Sequence, residues 1–251
     1  MLTHPTLNKL RDLRLTGMAE AFEEQLNTPE LQDIAWEERF GLLVDREATL
    51  RRNRRLQTRL KQAQFQQPAV WEDIDFKTTR GLDQSLMLQL ADCQWVARHL
   101  NCLITGPTGA GKSYVATALA HKACREGYSA RYLRLPRLLQ SLHIAKGDGS
   151  YPRMLNQLAR IDILIIDDWG IAALDDNAQR DLLEILDDRF NRRSTIVTSQ
   201  LPLAHWHDYL GRATLADAIL DRLVHNAYKL ELKGESMRKK KNPLTANPTQ
   251  G

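Results

Sequence analysis

The octapeptide Gly106-Pro107-Thr108-Gly109-Ala110-Gly111-Lys112-Ser113 constrains this chain more than any other stretch. It fits the pattern G-x-x-x-x-G-K-S/T and lies between a short apolar run, Leu100 to Thr105, and a segment with helical spacing. A turn of this kind leaves a buried strand and enters a helix. Its glycines let backbone N–H groups turn inward as an anion nest, and the helix adds its positive N-terminal end. The result is a cradle for phosphates. Lys112 supplies mobile positive charge to the β and γ phosphates of ATP, and the Ser113 hydroxyl completes a magnesium coordination shell.

Around this turn the chain alternates short apolar runs with helical segments, the pattern of a parallel sheet covered on both faces. Five strands are predicted: Leu100 to Thr105, Ala130 to Leu135, Ile161 to Asp167, Ser194 to Ser199 and Ala227 to Leu232. The fold class is therefore α/β, a P-loop NTPase. Ile163-Leu164-Ile165-Ile166 delivers Asp167 and Asp168 to the carboxyl end of its strand, where ligands bind in open α/β sheets. Adjacent carboxylates at that place call for a cation. Asp167 is assigned to magnesium, and Asp168 to polarising the water that attacks the γ-phosphate.

With 251 residues and 43% hydrophobic content, the chain can bury one sizeable core and still form a smaller attached domain. Before the sheet, Leu7, Leu10, Met18, Phe22 and Leu26 recur at helical spacing. Thr28-Pro29 reads as a cap and first turn, and a further helix carries Trp36, Phe40, Leu43 and Val44 on one face, then runs through Leu50, Leu56 and Leu60. The expected division is a helical N-terminal domain over 1–67, a linker over 68–81, an ATPase domain over 82–236 opened by a helix from Asp83 to about His99, and a basic, disordered tail over 237–251. No run approaches the roughly 20 apolar residues of a membrane span, and the first residues are too charged for a secretory signal, so a cytoplasmic location without membrane contact is expected. Cys93, Cys102 and Cys124 lack metal-site spacing and read as buried thiols. His205 and His207, on either side of Trp206, do not share a helical face and read as part of a helix packed on the sheet, not as a metal site.

The net charge of +4 says little until it is located. Much of it sits in Arg51-Arg52-Asn53-Arg54-Arg55-Leu56-Gln57-Thr58-Arg59-Leu60-Lys61, which holds six basic residues and no acid. On a helix Arg51, Arg55 and Arg59 share a face, a stripe that can follow the phosphates of duplex DNA. Nothing resembles a base-reading module, so binding without sequence preference is expected, with a log–log salt slope of about −5 if five or six charges meet phosphates.

The order of parts resembles the helicase-loader branch of the AAA+ ATPases, and most closely the IstB-like helper ATPases of bacterial insertion sequences, which are similar to the DnaC and DnaI replication helicase loaders. Gly106 to Ser113, Ile163 to Gly170, Ile196 to Pro202, Leu220 to Val224 and Lys233-Gly234-Glu235-Ser236-Met237-Arg238 carry this resemblance. It implies that Gln200 is a polar sensor of the γ-phosphate, although asparagine is common there, and that Arg222 is an arginine finger completing a neighbour's site in an oligomeric ring or helix. Asp168 stands where glutamate is usual. Arg238 resembles a second nucleotide sensor. The implied function is an ATP- and magnesium-dependent ATPase, slow and stimulated by DNA, that assembles on duplex DNA and recruits or stimulates a transposase. The alternative is a replicative helicase loader of the DnaC/DnaI type.

Overall fold

The computed structural model describes residues 4–76, 80–234 and 237. Arg238 and the rest of the expected tail beyond Met237 lie outside the described residues. The chain divides into two compact units, Met1–Thr58 and Arg59–Gly251.

In the first unit, α1 (Pro5–Asp12) and α2 (Thr16–Asn27) are followed by a 3-10 turn at Pro29–Asp33 and by α3 (Trp36–Ala63), which runs past the unit boundary. The N-terminus of α2 is capped from outside. The Glu47 carboxylate of α3 accepts Gly17 N–H at 2.7 Å and Met18 N–H at 3.2 Å, and Arg51 Nε lies 2.6 Å from its other oxygen. A side chain at Gly17 would put its Cβ 2.8 Å from Glu47 Cα, so the two helices meet at a point that only glycine permits. One expectation fails here. Thr28 does not cap a helix: its hydroxyl donates back to the Glu24 carbonyl at 2.9 Å, a local bond that competes with capping, and Pro29 opens only the 3-10 turn. The apolar face of α3 is only partly covered. Leu43 is buried, whereas Trp36, Phe40 and Val44 remain 61%, 45% and 44% exposed.

The second unit is built on five parallel strands, β1 (Asn101–Thr105), β2 (Ala130–Arg134), β3 (Ile163–Trp169), β4 (Ser194–Ser199) and β5 (Ala227–Glu231), in the order β2-β3-β4-β1-β5. Helix α6 (Lys112–Arg125) follows the glycine-rich turn and buries Val115, Ala116, Leu119 and Ala120. On the other face, α7 (Leu135–Asp148), α8 (Tyr151–Arg160), α9 (Asp176–Arg189), α10 (Trp206–Leu210) and α11 (Ala213–Val224) close a core that includes Leu138, Leu142, Leu164, Ile166, Trp169, Leu182, Ile185 and Trp206. The alternation Leu164/Ile166 against Ile163/Ile165 assigns the residues of β3 to the two faces. Trp206 is fully buried with its ring 5.2 Å from that of Trp169, and His207 meets Asp217 at 3.1 Å. Trp206 and His207 thus belong to a packed helix, whereas His205 ends the 3-10 turn before it.

The predicted helix from Asp83 to His99 is two helices, α4 (Gln84–Ala91) and α5 (Gln94–Ala97). Cys93 breaks it with a left-handed φ of 60°, because Asp92 bonds locally to Gln94 N–H and starts the second helix anew. All three cysteines are buried free thiols; burial pushes Cys93 and Cys124 up to about 11 and Cys102 higher still. Among the described residues no helix is long and apolar enough to cross a membrane. Residues 59–67, read from sequence as part of the N-terminal domain, fall in the second unit: Arg59 donates to the Cys124 carbonyl at 3.3 Å, and Arg131 on edge strand β2 donates to Gln62 O at 2.9 Å. Covering an edge strand blunts its tendency to pair with another chain.

Candidate functional site

The turn after β1 has the conformation a phosphate loop needs. Gly106 and Gly111 take φ of 145° and 95°, and Cβ atoms there would stand 2.3 Å from the Leu232 carbonyl oxygen and 2.7 Å from Arg80 Nη1. The backbone contact closes Gly106 to any side chain, and the positive φ of Gly111 strains any residue but glycine. Lys112 is 9% exposed, its ammonium donating to the Gly106 and Pro107 carbonyls at 2.8 Å each. The loop borders a cavity of about 870 Å³, within the range of pockets that enclose a small-molecule ligand, roughly 300–1,000 Å³.

At the end of β3 the two acids face a geometric problem. Successive strand residues point to opposite faces, so regular backbone would send Asp167 and Asp168 apart. The strand solves it with an irregularity: pairing with β4 shifts register between Ile166 and Trp169, and Asp168 adopts a left-handed φ of 64°. Both acids line the cavity, and pairing resumes at Trp169 with Ser199, two residues beyond the predicted strand end. Asp167 is 3% exposed. Its Oδ1 accepts Ser113 Oγ at 3.0 Å and also the Thr198 hydroxyl; its Oδ2 accepts the Tyr132 hydroxyl. Asp168 accepts Arg134 Nε, and this bond raises the already high affinity of the guanidinium for its proton.

Ser113 and Asp167 thus present hydroxyl and carboxylate oxygens side by side beside a buried ammonium. Hard oxygen donors of this kind suit magnesium, and the ammonium and glycine-rich backbone suit phosphates, so the residues present fit ATP with magnesium. Gln200, just past β4, lines the same cavity and accepts Thr108 Oγ1 of the loop at 2.7 Å. Lys112, Ser113, Asp167, Asp168 and Gln200 are therefore brought together. Arg222 is not. It lies on α11 with its backbone carbonyl bonded by Asn101 at the start of β1, the opposite end of the strand from the glycine-rich turn, and its guanidinium pairs with Asp187 and Asp221 at 2.8 and 2.9 Å.

The basic stripe divides as well. Arg51 is paired with Glu47, Arg54 donates to Thr16 Oγ1 at 3.3 Å, and Arg59 is committed to the Cys124 carbonyl. Arg52, Arg55 and Lys61 are exposed and make no side-chain bond among the described residues.

The sequence reading gives no role to Arg134 and Arg80, which line the cavity, to Tyr132, which bonds Asp167, or to the Thr198 hydroxyl as a partner of Asp167. Tyr132 and Arg134 alternate along β2 and Thr198 sits in β4, but only the strand order reveals that both strands flank β3. Arg80 is 4% exposed and donates to the carbonyls of Ala110 and Asp75, knitting the segment before α4 to the loop. Nothing in its sequence neighbourhood signals that role.

The model of the family described as IstB-like ATP binding protein matches residues 8–245. A protein of Sinorhizobium fredii, described as an insertion-sequence ATP-binding protein, is 50% identical over 95% of this chain and 98% of its own length. A counterpart from an insertion sequence of Pseudomonas fluorescens is 53% identical over 80% of this chain and 88% of its own. A crystal structure of DnaI shares the fold, with a TM-score of 0.56 at 21% identity over 66% of this chain and 91% of that one. A P-loop cleft on a five-stranded parallel sheet, in a chain matched along nearly its whole length, leads to one assignment: this chain belongs to the IstB-like ATP-binding proteins of insertion sequences.

Proposed function

We propose that this chain hydrolyses ATP while assembled in several copies on duplex DNA, and that in this state it recruits or stimulates the transposase of its insertion sequence. The observation that carries the proposal is the convergence of Lys112, Ser113, Asp167, Asp168 and Gln200 on one cavity. Magnesium held by Ser113 and Asp167 supplies charge neutralisation on the phosphate oxygens. Lys112 exchanges its two carbonyl acceptors for β and γ phosphate oxygens, which bind an ammonium more strongly. Asp168 orients the attacking water and draws on its proton. Gln200, already in contact with Thr108 of the loop, reports whether the γ-phosphate is present.

Arg222 has no role in its own chain's cavity; its place at the far end of the sheet supports a role in trans, toward the cavity of a neighbouring copy. Arg222→Ala and Lys112→Ala, each inactive alone, are expected to recover part of the ATPase rate when mixed, since some interfaces then join an intact Lys112 to an intact Arg222. No recovery at any ratio would count against the finger.

For DNA, exposed Arg52 and Arg55 with half-exposed Arg51 and neighbouring Arg54 support phosphate contact, while Arg59 has another partner. About four contacts give a log–log salt slope of about −3 to −4, shallower than the sequence alone suggests. The steady-state ATPase rate with and without duplex DNA tests the whole reading. Duplex should raise it in the wild type, and replacing Arg51, Arg52, Arg54 and Arg55 together with alanine should abolish the increase and flatten the salt slope by about 3. An unaltered slope in that variant would remove the stripe as the DNA contact.

A further inference from the structure

Asp167 receives three hydroxyls, and they come from two sides. Ser113 and Thr198 share Oδ1; Tyr132 reaches Oδ2 from edge strand β2. The same Tyr132 oxygen lies 2.8 Å from the side-chain amide of Gln66. A phenol has one proton to donate. The proton goes to the charged acceptor, and turning the Gln66 amide over, so that its nitrogen stands where Oε1 lies 2.8 Å from the phenol, lets Gln66 donate to the phenol oxygen.

Gln66 lies just past the end of α3, in a stretch tied to the sheet by Arg131 and Gln62 and to α6 by Arg59 and Cys124. With the carboxylate holding magnesium, the bond from Tyr132 to Oδ2 would set how it is turned. A rigid, buried ring then passes any turn of that carboxylate to the Gln66 amide.

We propose that Tyr132 is a positioning residue: it orients the Asp167 carboxylate for magnesium and, through Gln66, makes residues 59–67 respond to whether that carboxylate is engaged. The proposal rests on the reading of the cavity as an ATP and magnesium site. It gives the arginine-bearing helix α3 a physical link to nucleotide state, because its last turn, Arg59–Ala63, belongs to the responding stretch.

The test uses the full-length chain and a fluorescent ATP derivative, titrated in EDTA and then across magnesium concentrations, alongside hydrogen exchange of the amides of residues 59–67. Tyr132→Phe is expected to bind the nucleotide in EDTA as the wild type does and to need about tenfold more magnesium for the metal-dependent gain in affinity, the usual cost of losing a group that orients a ligand. In the wild type, magnesium with nucleotide should slow exchange over 59–67; Tyr132→Phe and Gln66→Leu should both lose that response. Gln66 is exposed, so its variant folds even if Tyr132→Phe is destabilised. An unchanged magnesium requirement in Tyr132→Phe, a wild-type stretch that does not respond, or a normal response in Gln66→Leu would each overturn the proposal. A wild-type chain that binds no nucleotide, or binds it without regard to magnesium, would overturn the reading of the cavity itself and the proposal with it.

Discussion

Lys112→Ala is expected to lower ATP hydrolysis by about 10²- to 10³-fold, the cost of removing one preorganised group that stabilises charge in a transition state. The argument rests on where the ammonium sits. It is nearly buried, and it donates to two carbonyls of the loop itself, Gly106 O and Pro107 O. Exchanging those two carbonyls for phosphate oxygens gains charge-assisted bonds without moving the backbone. Lys112 is also the first residue of α6, where alanine is a good helix former, so the fold should survive and circular dichroism should match the wild type. Nucleotide affinity should fall with the rate, since the charge acts in the ground state as well. A variant keeping more than about a tenth of the wild-type rate would sink the assignment of Lys112, because that loss is smaller than one misplaced donor costs.

Most of the sheet was legible because its strands are short apolar runs with clear ends: β4 was read at its observed bounds and β1, β2 and β5 to within a residue at either end. What the pattern could not carry is anything set by neighbours in space. The extension of β3 to Trp169 depends on a register shift against β4, and the helix break at Cys93 depends on a left-handed residue that no periodicity marks. The phosphate loop, Asp167 and Asp168 were legible because one short segment carries each, and its chemistry is local. Tyr132 and Arg134 were not, since their relevance follows only from β2 lying beside β3. The basic run shows the reverse error. Its charges are real in the sequence, but Glu47, itself needed to cap α2, draws on Arg51, and the Cys124 carbonyl draws on Arg59. A count of charges overstates those available to phosphates.

Asp168→Asn should separate chemistry from binding. The register shift and the φ of 64° are what bring this side chain into the cavity beside Asp167, and asparagine is among the few residues that adopt that conformation readily. It also keeps an oxygen for Arg134, so the variant should hold its place and its ion-pair partner should stay ordered. What it loses is the capacity to take a proton from water. Hydrolysis is therefore expected to fall by about 10²- to 10⁴-fold, with nucleotide affinity changed by no more than about threefold. The same backbone explains the shorter acid. Aspartate tolerates a left-handed turn better than a longer side chain does. Single-turnover hydrolysis and equilibrium binding, measured on one preparation, decide the matter. If Asp168→Asn hydrolyses ATP within about fivefold of the wild type, Asp168 is not the group that activates water, and its bond with Arg134 serves only to shape the end of β3.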